Sequence, residues 1–241
     1  VRAVYTGPDG RIWAGTNGGG IDIIDPEDNS IKNLNQANFG LSDDFVYAIS
    51  GDNAGNTWVG TYFGKIKRIG ENGLTIFARN NGLPGHAIWS IYPDPEAEGT
   101  VWIGTDGGGL VRFKDGQFTV FTHRHGLYSN LAFQVTGDLR GNLWMNCNKG
   151  IFSVSKKDLE DLANGRVKKI KCVSFGKSDG IKSTECNGPA QPAGLCTPDG
   201  KLLFPTIRGA VIISPDEIKA NKVAPPVVIE KMTVNNKTAY V

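Results

Sequence analysis

The chain has 241 residues, of which 39 % are hydrophobic and 21 % charged, a balance that supports a packed core and argues against disorder. A formal net charge of +2, spread along the chain, predicts no nucleic-acid contact, and the lack of an apolar run of about 18 residues predicts no membrane contact by this stretch. Glycine stands out: 32 residues, roughly twice the usual ~7 %, with no collagen period, which calls for many tight turns.

In chain order, the opening VRAVYTG already reads as a strand and lacks Met or a leader, which predicts that the natural N-terminus lies upstream. GRIWAGTNGGG (10–20) follows and then recurs as GNTWVGTYFGK (55–65), GTVWIGTDGGG (99–109), GNLWMNCNKGI (141–151) and, weakly, GKLLFPTIRGA (200–210). The anchors Trp13, Trp58, Trp102, Trp144 and Leu203 are 45, 44, 42 and 59 residues apart. A second element, Gly-Leu or Gly-Ile, recurs at Gly40, Gly82, Gly126 and Gly180. A repeat of this period means an array of supersecondary units that bury their cores against one another.

The second unit shows the pattern. FVYAIS (45–50) alternates with period 2, Asn53-Ala54-Gly55-Asn56 turns, NTWVGT follows, Phe63-Gly64 turns, KIKRIG follows, and LTIFA (74–78) closes the unit. Four short antiparallel strands in about 44 residues are one propeller blade. The fold class is therefore all-β, a propeller of four-stranded antiparallel blades, with five repeats present. The Trp of W-x-G-T is expected to pack between blades, its Gly letting neighbouring backbones approach. Trp89 and Tyr47, which begin innermost strands, are expected to serve interblade packing as well.

The long interval after Trp144 carries an insertion of about 12 residues, which reads as a short helix over 155–164, Ser155 capping it and Gly165 stopping it. A helical turn is predicted at 214–219, with Ser214 as cap, Pro215 at its first position and Glu217 closing a capping box. The fifth unit lacks an evident fourth strand, so the arc is expected to be open or completed by another copy, and self-association is expected. Residues 1–222 form the propeller. Residues 223–241, opening near Pro225-Pro226, read as a linker and the first strand of a following domain, with no pairing strand after it.

Chemistry is sparse. Cys147, Cys172, Cys186 and Cys196 have no zinc-ligand spacing and read as buried thiols, with a bridge between Cys186 and Cys196 the lesser alternative. His86, His123 and His125 have no nucleophile at a telling spacing, so neither catalysis nor a metal is predicted. The glycine loops lie between strands rather than before helices, and Asp94, Glu96 and Glu98 read as a solvated turn, not a calcium loop. No cofactor is expected. Binding is the better prospect, because two sets of loops open on one face of a propeller. They carry Asn17, Asp43, Asp44, Tyr62, His86, Asp106, Asn130, Asn148, Glu185, Asn187 and Arg208, polar groups with an aromatic that suit a sugar or another polar small ligand.

The ordered set G-N-x-W-x-G-T-x-G-G-G with N-G-L-x-x-x-x-(I/V)-(W/Y)-x-I resembles the two-component regulator propeller repeat. GIFSVSKKDLEDLANG, DGIKSTECNG and DGKLLFPTIRGAVIISPDEI resemble the closing blades of such propellers, and PPVVIEKMTVNNK is similar to the first strand of the immunoglobulin-like domain after them. The resemblance implies a ring of about seven blades, larger than the five repeats present, in a periplasmic, non-enzymatic ligand-sensing region, part of an inner-membrane protein whose output is a histidine kinase or diguanylate cyclase. Two other classes stay open: a scaffold for dimerisation or protein contacts, and a propeller lyase.

Overall fold

The computed structural model describes residues 1–218, apart from 72 and 139, and the backbone strands Met232–Val234 and Lys237–Ala239. The first blade is β1 (Ala3–Thr6), β2 (Ile12–Gly15), β3 (Ile21–Ile24) and β4 (Ile31–Leu34), paired in that order. The second is β5 (Val46–Gly51), β6 (Thr57–Thr61), β7 (Ile66–Gly70) and β8 (Gly73–Phe77). The third is β9 (Ile88–Pro93), β10 (Val101–Thr105), β11 (Leu110–Lys114) and β12 (Gln117–Phe121). The fourth is β13 (Gln134–Gly137), β14 (Asn142–Cys147), β15 (Gly150–Ser155) and β16 (Cys172–Phe175). The fifth has three described strands, β17 (Leu195–Cys196), β18 (Leu202–Thr206) and β19 (Gly209–Ile213). All pairings within blades are antiparallel, and β1, β5, β9, β13 and β17 are the innermost strands, each beside the next. The chain is an all-β, five-blade propeller.

The core lies between blades, as the repeat demands. Trp58 packs in one cluster with Ile88, Ile91, Val101 and Phe113 of the third blade, and Trp102 in another with Val135, Leu143 and Met145 of the fourth. The glycine two residues after Trp13, Trp58 and Trp102 is needed for this approach: a Cβ on Gly60 would lie 2.4 Å from Ile88 Cγ2. The Gly-Leu element has a local cause that the strand reading passes over. Helix α1 (Gln36–Phe39) and single 3-10 turns at Arg79–Asn81, His123–His125 and Lys177–Asp179 each end on that glycine, at φ 64, 100, 99 and 89°. Glycine takes this left-handed conformation without penalty, and the Leu or Ile after it is then buried between blades.

The indole N–H of each interior Trp donates to a carboxylate at the start of the preceding hairpin: Trp58 to Asp52 at 2.7 Å, Trp102 to Asp94 at 2.9 Å, Trp144 to Asp138 at 2.8 Å. Burial by itself would raise the Asp52 and Asp138 carboxyls, but hydrogen bonds from the Trp, a neighbouring Asn and backbone N–H groups outweigh it and hold both below the usual range. Asp94 is thus no solvated turn residue. It is buried, and Lys156 Nζ also reaches it at 2.8 Å, together with Glu96 at 2.8 Å.

Lys156 opens helix α2 (Lys156–Ala163), the predicted insert, capped by the Ser155 side chain. It pins the fourth blade to the third, since Glu160 further along pairs with Arg112 and, at 3.0 Å, with Lys114. At the other predicted turn only Pro215–Glu217 is helical, and the Ser214 side chain makes no capping bond. Cys186 and Cys196 do not meet. They oppose Thr206 and Leu202 on β18, four residues or about 13 Å apart at ~3.3 Å per residue, beyond the ~7 Å reach of a disulfide.

Two further expectations are corrected. The arc does not simply end open, because Gln191 N donates to Arg2 O at 2.9 Å and accepts Val4 N at its carbonyl at 3.0 Å, joining the fifth unit to the first. The strand read within 227–236 also has its partner in the chain: β20 (Met232–Val234) pairs with β21 (Lys237–Ala239). The proposed linker at 223–231 lies outside the described residues.

Candidate functional site

On the loop-bearing face, the turn position held by Asn17, Asp106 and Asn148 in other blades is held by an aromatic, Tyr62, in the second. β5 begins beside Phe45 and carries Tyr47, the turn after β6 carries Tyr62 and Phe63, and β9 carries Trp89. Their rings form one connected cluster: Tyr47 lies 5.1 Å from Trp89 and 5.7 Å from Tyr62, Tyr62 5.3 Å from Phe63, and Phe45 5.8 Å from Phe63. Tyr62 and Phe63 are 44 and 59 % exposed, while Trp89 beneath them is 5 % exposed. Tyr47, Ala87 and Trp89 form a cluster of their own with Leu131 and Phe133, distinct from the larger interblade cores. Tyr47 of the second blade and Trp89 of the third are thus buried against each other and against the fourth unit, the interblade packing read for them from the sequence, placed at the loop-bearing end of the innermost strands.

Polar groups border these rings. Tyr47 Oη donates to Asn17 Oδ1 at 2.7 Å, and the Arg2 guanidinium sits 5.3 Å from the Tyr47 ring centre, within cation–π range. The Trp89 indole N–H is buried with no hydrogen-bond partner among the described residues, unlike the three clamped tryptophans. The turn carrying Phe63 lies against the next loop, since a Cβ on Gly64 would fall within 3 Å of the Gly85 and His86 backbone. His86 in turn faces Gly108, close to Asp106, whose N–H donates to Ala87 O at 2.9 Å.

The predicted residues thus separate into three groups. Asn17, Tyr62, His86 and Asp106 gather around the aromatic cluster. Asp43, Asp44 and Asn130 serve the loops themselves. Asp43 accepts Phe45 N, Asp44 accepts Gln36 N at 2.6 Å, and Asn130 accepts His123 N at 2.7 Å. Burial raises the Asp43 carboxyl above its usual range, and nearby Lys67, fully buried with Nζ on the Gly40 carbonyl, is pulled down by burial to about 8. This pair belongs to the joint between the first two blades, not to the rim. Asn148, Glu185, Asn187 and Arg208 lie exposed on the fourth and fifth blades, where Asn187 N donates to Pro205 O and Glu185 O accepts Ile207 N.

A cleft of about 590 Å³ lies elsewhere. It runs between the last two blades past Phe175, Ile181, Arg208 and Ile213 to Ile218, where the described part of the fifth blade stops. It gathers one predicted residue, Arg208, against four at the aromatic cluster. His123 and His125 are taken up locally, by Asn130 and by Thr122 N, and no group of three or more His, Cys, Asp or Glu side chains converges among the described residues.

Residues 40–63 match the family described as two component regulator propeller. The fold matches the extracellular domain of a hybrid two component system, BT3049, from B. thetaiotaomicron, with 25 % identity and a TM-score of 0.76 over 96 % of this chain and 30 % of that one. It also matches the extracellular domain of a one component system, BT4673, from the same organism (17 %, TM-score 0.59, 99 % of this chain and 37 % of that one). Virginiamycin B lyase from Staphylococcus aureus is similar at 17 % identity and a TM-score of 0.60, over 89 % of this chain and 71 % of that one. The last two likenesses are of fold alone. No curated protein sequence matches. The chain spans about a third of the two extracellular domains it resembles.

Proposed function

We propose that this propeller, which carries a two component regulator repeat at 40–63, is the ligand-sensing part of a signal-transduction protein, lies on the periplasmic side of the inner membrane, and takes a carbohydrate on its aromatic rim. The observation that carries the reading is the juxtaposition of exposed Tyr62 and Phe63 with Tyr47, Trp89, Asn17 and Arg2. Flat ring faces bordered by amide and guanidinium groups match the apolar C–H faces and hydroxyl edges of a sugar ring. The residues that could bind are adjacent to one another and hold no nucleophile with an oriented base, which favours recognition over covalent catalysis.

The test is calorimetric titration of a panel of soluble oligosaccharides against the wild-type chain, Tyr62→Ala and Arg208→Ala. A binding saccharide should lose at least about tenfold, ~1.4 kcal/mol, in Tyr62→Ala and nothing in Arg208→Ala. Equal affinity for wild type and Tyr62→Ala would remove the rim from consideration.

A further inference from the structure

The segment that supplies the innermost strand of the fifth blade is longer than its counterparts, although β17 itself is short. From the equivalent start of the innermost strand to the residue opening the next hairpin is six positions in three blades: Val46 to Asp52, Ile88 to Asp94, Ala132 to Asp138. In the fifth blade the same interval, Cys186 to Thr197, is eleven. The hairpin ends are equivalent: Asp52 N donates to Asn56 O, Asp138 N to Asn142 O, and Thr197 N to Lys201 O. Five residues are therefore inserted in the segment that leads into β17.

The inserted stretch does not loop out into solvent. Gln191 exchanges backbone bonds with Arg2 and Val4 of the first blade. Its side-chain amide bonds both backbone groups of Ile91 in the third blade, accepting N at 3.1 Å and donating to O at 3.0 Å. Ala193 N donates to Gln134 Oε1 at 2.8 Å, and Asn146 Nδ2 reaches the Asn187 and Ala193 carbonyls at 3.4 and 3.3 Å. Gln134 and Asn146 are buried polar side chains whose bonds serve this stretch, a costly arrangement unless the partner is constant. Gly188 lies so close under Phe133 that a Cβ there would be 2.1 Å from the ring.

We infer that residues 187–193 form a strap that closes the channel and couples the aromatic rim to the joint between the first and fifth blades. Two contacts make the coupling. Arg2 gives its carbonyl to Gln191 and its guanidinium to Tyr47, and Phe133 packs on Gly188 below and on the Tyr47, Ala87 and Trp89 cluster above. A ligand that moves Tyr47 or Arg2 changes what the strap rests on, and a strap that lifts frees the ring joint. By linkage the effect runs both ways. The role in sensing rests on the rim being the ligand seat; the strap's closure of the channel does not, and needs no ligand to test.

The experiment is hydrogen exchange of the Val4 and Ile91 amides, with acrylamide quenching of Trp89 taken as the difference between each protein and its Trp89→Phe counterpart. Gln191→Ala deletes only the side-chain bonds to Ile91. If the strap is one unit, both amides exchange at least about tenfold faster and Trp89 becomes more quenchable. Faster exchange at Ile91 alone overturns the strap. Faster exchange at both with unchanged Trp89 quenching overturns the coupling. Gln191→Met, which keeps the side chain's bulk, gives the same readings should the alanine variant fail to fold.

Discussion

Tryptophan occurs in two regions of this propeller with opposite chemistry. At the hairpin end of the interior blades, Trp58, Trp102 and Trp144 are buried between blades with each indole N–H on a carboxylate. At the rim, Trp89 is equally buried, but its N–H has no partner among the described residues, and its neighbours are buried Tyr47 and half-exposed Tyr62. A satisfied buried indole marks a position built for stability, whereas an unsatisfied one beneath exposed rings marks a position where stability is given up for something else.

The largest break in this contrast should come from Trp102→Ala, which removes a buried aromatic and leaves the Asp94 carboxylate without its indole partner. A loss of about 3–5 kcal/mol is expected in denaturant unfolding, with saccharide affinity of the folded fraction unchanged. Lost binding with unchanged stability would reverse the assignment of the two regions.

Asp138→Asn should cost less, about 1–3 kcal/mol, by weakening the acceptor for Trp144 and Asn142. It also carries a pH signature. The folded Asp138 carboxyl titrates below its ordinary value of 3.8, so its contribution is complete above that value and is lost as pH falls through the lower folded one. The stability gap between wild type and variant should therefore be constant at neutral pH and close under acid; a gap that widens in acid would contradict the clamp.

The first blade offers the converse. Gly7 stands where Asp52 and Asp138 stand, six residues before a Trp, and its Cα direction points a new side chain toward Trp13 Nε1, 3.5 Å from an added Cβ. Gly7→Asp, with the exposed Asp9 carboxylate shifting aside, should install the missing clamp and gain about 1 kcal/mol in thermal unfolding. No gain would show that the clamp needs more than its two partners. The smallest effect belongs to Trp89→Phe, which keeps an aromatic ring and deletes an unsatisfied N–H. Stability should stay within about 1 kcal/mol or rise slightly.

The frame of the molecule was legible in the sequence because it repeats. Trp spacing, the glycine after it and alternating strands are local patterns written several times over, so the blades and the α2 insert could be read directly. The second repeat element was visible as Gly-Leu, but its cause, a left-handed glycine ending a helical turn, was hidden by short turns without an amphipathic period. The site was half legible. Asn17, Tyr62, His86 and Asp106 could be placed on one face from loop position alone. Asp43, Asp44 and Asn130 carried the same signal, since a turn residue and a binding residue are both polar in sequence. Arg2 and Trp89 were missed because their neighbours come from other blades. The strap was within reach, as the five extra residues between Cys186 and Thr197 are a count, though nothing local says that they turn inward.

The central claim is that ligand settles on the aromatic half of the rim, not in the cleft between the fourth and fifth blades. The direct measurement is backbone hydrogen exchange across the chain with and without a saturating saccharide identified by titration. The account predicts slower exchange at 45–47, 62–64 and 86–89, with the segments around Phe175, Ile181 and 208–213 unchanged. Protection confined to those latter segments, with the aromatic rim unaffected, would contradict it.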